Sequence, residues 1–154
     1  MTTRIRRARQ SDVADIVRLL ADDALGVARE DPTDRAPYQA AFARVDADPN
    51  QHLIVAERMA EPAGEIVGTL QLSLQPGLSR RGATRCTIEG VRIAADARGT
   101  GLGTQLLEWA VEEASRLGAS LVQLTSDASR ADARRFYEHL GFTASHVGFK
   151  RTLD

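Results

Sequence analysis

The chain is predicted to form a single α+β domain over residues 1–154, with a mixed sheet flanked by helices. Three observations point there. The middle of the chain is rich in strand patterns, with Leu70, Leu72 and Leu74 alternating against Thr69, Gln71 and Ser73. From Arg85 onward the pattern becomes strand, helix, strand, helix and strand, the arrangement of a sheet covered by helices. The 154-residue length and the 43% hydrophobic, 27% charged composition suit one ordinary globular core.

Ile5 lies in a short strand candidate, and Ser11-Asp12 then supplies helix caps. Val13, Ile16, Val17, Leu20 and Ala24 follow at helical spacing, and Gly26 is expected to end this first amphipathic helix. An acidic, proline-containing link over 29–34 leads to a second helix from about Pro37 to Val45. His52 to Ala56 reads as a buried strand, Glu61 to Gly64 as a turn and Ile66 to Leu74 as the returning strand of a hairpin.

A loop over 76–82 precedes a strand from about Arg85 to Ile93 whose alternation slips phase. Cys86 and Ile88 share one parity, Val91 and Ile93 the other. An extra residue at Glu89-Gly90, forming a β-bulge, returns all four to one face. The plainer alternative is a strand buried on both faces, where parity carries no meaning. Leu102, Leu106, Leu107, Ala110, Ala114 and Leu117 then mark a helix ending at Gly118. Ser120 to Ser126 is a strand candidate, and Ser129 is placed to cap a last helix carrying Ala133, Phe136, Tyr137 and Leu140. Gly141-Phe142 is expected to open a final strand.

Several function classes are disfavoured. Cys86 is the single cysteine, so there is no internal disulfide, and His52, His139 and His146 are scattered without ligand spacing, so no metal is expected. A net charge of −1 gives no footprint for nucleic acid. No apolar run approaches the roughly 20 residues of a membrane span, and no apolar signal core follows the basic start, which favours the cytoplasm.

The richest stretch is Arg98-Gly99-Thr100-Gly101-Leu102-Gly103-Thr104, between the strand ending at Ile93 and the helix that follows. Backbone N–H groups at a helix start lack intrahelical partners and carry the positive end of the dipole, so glycines there let a phosphate reach bare backbone. Arg98 adds a cation. The spacing Gly99-x-Gly101-x-Gly103 is neither the dinucleotide GxGxxG nor a Walker loop, since no Gly-Lys-Ser/Thr follows.

Ile88-Glu89-Gly90-Val91-Arg92-Ile93, this turn, and Phe136-Tyr137-Glu138-His139-Leu140-Gly141-Phe142 together resemble the GNAT superfamily of acetyl-CoA-dependent N-acetyltransferases over nearly the whole chain. The resemblance implies a mixed, mostly antiparallel twisted sheet whose fourth and fifth strands splay apart, with acetyl-CoA as cosubstrate in the gap. The main chain of Val91, Arg92 and Ile93 would pair with its pantetheine arm. Arg98, Gly99, Thr100, Gly101, Leu102, Gly103 and Thr104 would cradle its pyrophosphate. Many members carry an asparagine before the last helix where this chain reads Ser129-Arg130-Ala131-Asp132, so that contact is not carried over.

The resemblance also assigns the chemistry. An alkylammonium of pKa near 10.4 costs about 4–5 kcal/mol to deprotonate at pH 7, and Glu89 is placed to accept that proton directly or through water. The alternative is an outward strand glutamate in a salt bridge. The Val91 N–H is placed to donate to the oxyanion. Tyr137 would donate to the departing sulfur, although its place on the apolar stripe also suits a plain core residue.

The acceptor pocket is expected from the link 24–38 and residues near His146, and the substrate is expected to be a primary amine of a small molecule. Acetylation of a protein amine and a noncatalytic acyl-CoA sensor are the alternatives. A homodimer is left open.

Overall fold

The period-two apolar pattern between His52 and Ile93 builds most of one five-stranded sheet, ordered β1-β2-β3-β4-β5, in a computed structural model that describes residues 2–61 and 64–154. β1 (Thr3–Arg7), β2 (Gln51–Arg58), β3 (Ile66–Pro76) and β4 (Thr84–Ile93) are successively antiparallel, and β5 (Leu121–Leu124) runs parallel to β4. The mixed sheet is therefore as expected. The expected turn at Glu61–Gly64 includes Pro62 and Ala63, which lie outside the described residues.

Each sheet face takes one helix. Ile54, Leu70, Leu72, Cys86 and Ile88 pack with Leu102, Leu106, Leu107, Ala110 and Ala114, the apolar stripe of α4 (Leu102–Arg116). On the other face Val55 and Ile66 meet Ile16 and Leu19 of α1 (Val13–Ala21). Burying each such aliphatic side chain contributes about 1.5–3 kcal/mol, so truncating the fully buried Leu106 to alanine costs about 2–5 kcal/mol. α2 (Ala36–Ala47), with proline in its first turn, buries no residue. α3 (Ser79–Gly82) is one turn within the β3–β4 connection, and α5 (Ala131–His139) lays Phe136 and Tyr137 on the α4-side core.

The phase slip in β4 is a bulge. Gln71 pairs with Glu89 and Thr69 with Arg92, so Gly90 and Val91 together oppose Leu70. Gly90 takes the left-handed conformation, φ 61°, that a side chain resists. Val91 and Ile93 consequently pack on the same core as Cys86 and Ile88.

Four local expectations are corrected. The first helix stops at Ala21 rather than Gly26, because the Asp23 carboxylate takes the Gly26 N–H (2.5 Å) and stabilises a turn in place of another helical step. Asp12 caps backwards: its carboxylate accepts the Arg9 N–H (2.7 Å) while gripping Arg6 at 2.7 and 3.0 Å. Ser129 is not the cap of α5, since its N–H and hydroxyl both donate to Asp127 Oδ1 (3.0 and 2.6 Å), and the helix begins two residues later. No final strand follows Gly141-Phe142. Val147, Phe149 and Leu153 alternate as strand residues do, but the segment pairs with no strand of this chain and they stay 78%, 94% and 85% exposed. Among the described residues no helix is long and apolar enough to cross a membrane.

Candidate functional site

The parallel pairing of β4 with β5 ends at Ile88 opposite Leu124, one residue before the bulge. From Glu89 to Ile93, β4 therefore has β3 on one side and an open gap on the other. The Ala94 N–H donates to the Val67 carbonyl (2.8 Å), which sets the pairing phase and turns the N–H and C=O of Ile93 away from β3 toward that gap. At a bulge one residue is left without a ladder partner, so the Gly90–Val91 step adds a main-chain donor there.

The glycine turn stands at the same end of the gap. Gly99 and Gly101 are left-handed, φ 75° and 88°, which lets the chain reverse into α4 with its amides outward. The N–H groups of Gly99 through Thr104 have no acceptor among the described residues. The first to find one is Gln105, donating to Gly101 O at 3.0 Å. These free donors and the helix dipole make an anion cradle. Gly103 also touches the packing between α4 and α5: a Cβ there would lie 3.4 Å from Phe136 Cζ. The Thr100 hydroxyl donates to Ala97 O (2.7 Å), steadying the turn. Leu102 is buried, and Thr104 borders a hollow of about 520 Å³ between α4 and α5, with Glu108, Arg135, Phe136 and His139.

Arg98 stands beside the turn with its guanidinium held in place. Its Nε donates to Ile93 O (3.1 Å) and its Nη2 meets Asp22 Oδ2 (3.2 Å), so the guanidinium ties the turn to β4 and to the end of α1. Arg92 behaves in parallel, with Nη1 donating to Val91 O (2.9 Å) and Nε 3.1 Å from Asp23 Oδ2. The aspartates just beyond α1 thus meet the two arginines flanking the gap. No local pattern around Asp22 or Asp23 encodes these contacts, made some 70 residues away.

Glu89 is exposed and forms no ion pair or hydrogen bond among the described residues, so the salt-bridge alternative has no partner here. It borders a cavity of about 120 Å³ with Ile16, Leu20, Leu53, Thr69 and Gln71. The link 24–38 does not line this cavity; Tyr38 instead bonds Glu30 (2.7 Å) and the Asp31 N–H (2.9 Å), and His146 lies on the exposed tail. Tyr137 packs edge-on to Phe142 at 6.1 Å and beside Phe136 at 5.4 Å. Burial pushes its phenol above the usual value, against the lowering pull of Arg130 and Arg92, so it keeps its proton through neutral pH. Core packing and proton donation are both available to it.

A five-stranded sheet parting beside a helix-start anion cradle forms a class of site suited to a phosphorylated ligand lying along an open strand edge. Comparison with known proteins gives the family. The acetyltransferase (GNAT) family model matches residues 13–142. An aminoalkylphosphonate N-acetyltransferase of Salmonella typhimurium is 36% identical over 120 residues, 78% of this chain and 75% of that protein. An L-methionine sulfoximine/L-methionine sulfone acetyltransferase of Pseudomonas paraeruginosa is 33% identical, covering 95% of this chain and 88% of its own. A crystal structure described as a transcriptional regulator from Bacillus halodurans C-125 superimposes with a TM-score of 0.92 at 45% identity, over 99% of this chain and 100% of that one. The chain belongs to the GNAT acetyltransferase family and is an acyl-CoA-dependent acetyltransferase.

Proposed function

We propose that the chain, acting over residues 1–154 as one catalytic unit, transfers an acetyl group from acetyl-CoA to a primary amine of a small molecule by direct attack in a ternary complex. The observation that carries this reading is the continuity of free main-chain donors, from the bulge at Gly90–Val91 through Ile93 to the amides of Gly99–Thr104. The donor set fits the cosubstrate: amides for pyrophosphate, an open strand edge for a pantetheine arm. When bound, acetyl-CoA supplies an activated carbonyl on a thiol leaving group.

The residues divide the work. The N–H groups of Gly99 to Thr104 hold the pyrophosphate, and the main chain of Val91 and Ile93 orients the arm, while that of Arg92, opposite Thr69, faces β3 and is not part of this set. Glu89, unpaired beside its cavity, takes the proton of the incoming ammonium. The Val91 N–H donates to the developing oxyanion, and protonated Tyr137 donates to the departing sulfur. The acceptors named for the two relatives, an aminoalkylphosphonate and a methionine sulfoximine, support a small acceptor over a protein amine.

A cytoplasmic setting belongs to the same reading, supported by a lone buried thiol that needs no oxidising compartment. A homodimer does too, supported by the strand-like, exposed Val147, Phe149 and Leu153 beside the short edge strand β5.

Release of free thiol from acetyl-CoA across a panel of small amines tests the reaction. Glu89→Gln and Tyr137→Phe are expected to lower kcat by about 10²–10⁴ and by a smaller factor respectively, each still binding coenzyme A. Activity confined to peptide or protein amines would overturn the small-molecule assignment, and unchanged rates in both variants would overturn their roles.

A further inference from the structure

The α1 side of the gap holds charges that acetyl transfer itself does not use. Glu89 pairs with Gln71 and Arg92 with Thr69 across β3. Thr69 and Gln71 are two residues apart and share a face, so the bulge brings Glu89 and Arg92 onto that face although they are three apart in sequence. One strand repeat, roughly 7 Å, separates the two positions. Thr69, Gln71 and Glu89 all border the cavity of about 120 Å³, so Arg92 stands at its margin.

Arg92 is incompletely satisfied. Its Nε is buried and lies 3.1 Å from Asp23 Oδ2, yet without the alignment of a hydrogen bond, leaving a buried donor without an acceptor. Such a donor costs free energy until something accepts from it. Asp23 is also shared: Oδ1 takes the Gly26 N–H, so Oδ2 alone faces the Arg92 Nε. Arg98 differs, with Nε bonded to Ile93 O and Nη2 to Asp22.

We propose that Arg92 anchors an acidic group on the acceptor, making the substrate a small amine that carries a carboxylate, phosphonate or phosphate within a few bonds of its nitrogen. The proposal rests on the acetyl-transfer reading. The ammonium faces Glu89 and the anion faces Arg92, so the roughly 7 Å between the two positions sets the acceptor's length. A cavity of about 120 Å³, roughly four waters' share of liquid volume, keeps the part between them small. The anion completes the unsatisfied guanidinium fork and takes over from Asp23.

The test compares 2-aminoethylphosphonate and β-alanine with ethanolamine, as kcat/KM ratios, in the wild type, Arg92→Gln and Arg92→Lys. The wild type is expected to favour the acidic acceptors at least about tenfold, the loss typical of one charge-assisted hydrogen bond. Arg92→Gln should bring the ratio toward unity through KM, and Arg92→Lys should restore part of it. Asp23→Asn keeps an oxygen for the Gly26 N–H and should lower KM for acidic acceptors. A wild-type ratio near one, or equal losses on acidic and neutral acceptors in Arg92→Gln, would overturn the anchor.

Calorimetric titration of methylphosphonate into the coenzyme A-saturated protein reads the anchor without turnover. It should bind the wild type and not Arg92→Gln, and absence of binding to the wild type sinks the proposal. Binding by a protein inert to every amine would support the anchor and count against the acetyl-transfer reading.

Discussion

Removing or substituting Gly90 separates the two things the bulge does. At φ 61° an alanine pays the left-handed penalty of about 1–2 kcal/mol, partly offset by about 0.4–1 kcal/mol from a stiffer unfolded chain. Its Cβ would meet only Leu20 Cδ2, at an ordinary 3.8 Å, so no clash is added. Gly90→Ala is therefore expected to lose about 1 kcal/mol, roughly 2–4 °C in Tm for a chain of this size, and to keep binding coenzyme A.

Deleting Gly90 is a different perturbation, because it removes the residue that restores phase. Val91 and Ile93 would leave the α4-side core and Arg92 would enter it. An unpaired buried guanidinium costs several kcal/mol, and two displaced aliphatic side chains add to that, which is comparable with the whole stability of an ordinary domain. Thermal melts by circular dichroism, with and without coenzyme A, measure both variants. A deletion variant that melts like the wild type and is still stabilised by coenzyme A would refute the phase reasoning. So would a loss above about 3 kcal/mol in Gly90→Ala.

Other consequences follow from single contacts. Burial alone would raise the Asp12 carboxyl, but the hydrogen bonds from Arg6 and the Arg9 N–H outweigh it and hold the group below its usual value. A lowered folded value means that its stabilisation is present above the unfolded pKa and fades as pH falls below about 4. Asp12→Asn should therefore cost about 1–3 kcal/mol near pH 7, because Arg6 retains Glu57 at 2.8 Å, and should flatten the acid limb of urea melts; an unchanged limb contradicts this. A Cβ at Gly68 would lie 3.2 Å from both Ala56 Cβ and Ile93 Cδ1, so Gly68→Ala should cost about 1–3 kcal/mol. Ile93→Val removes one of those atoms, and the two changes should combine to less than their sum in denaturant melts. Light scattering should give twice the chain mass for the wild type and one chain mass for Phe149→Asp, and a monomeric wild type would end the dimer proposal.

Much of the site was legible because it is written in local pattern. The parity of Cys86, Ile88, Val91 and Ile93 located the bulge, and glycines between a strand and an apolar helical stripe located the cradle. Features set by distant partners were not. Nothing near Asp22 or Asp23 in the sequence announces Arg98 and Arg92, and nothing near Glu89 announces Gln71 across β3. The neighbour of Gly103 across the helix pair, Phe136, is more than thirty residues on and has no local signal either. Ser129 lost the cap to a stronger local acceptor, Asp127, and the tail kept its strand chemistry without pairing to a strand among the described residues.

Amide nitrogen-proton spectra titrated with coenzyme A test the cradle and the open strand edge together. At one equivalent per chain, the largest shifts are expected at Gly99 through Thr104 and at Val91 and Ile93, with β1 and α2 nearly still. Saturable binding that moves other amides and leaves those in place, or no binding at all, would contradict the placement of the cosubstrate in this gap.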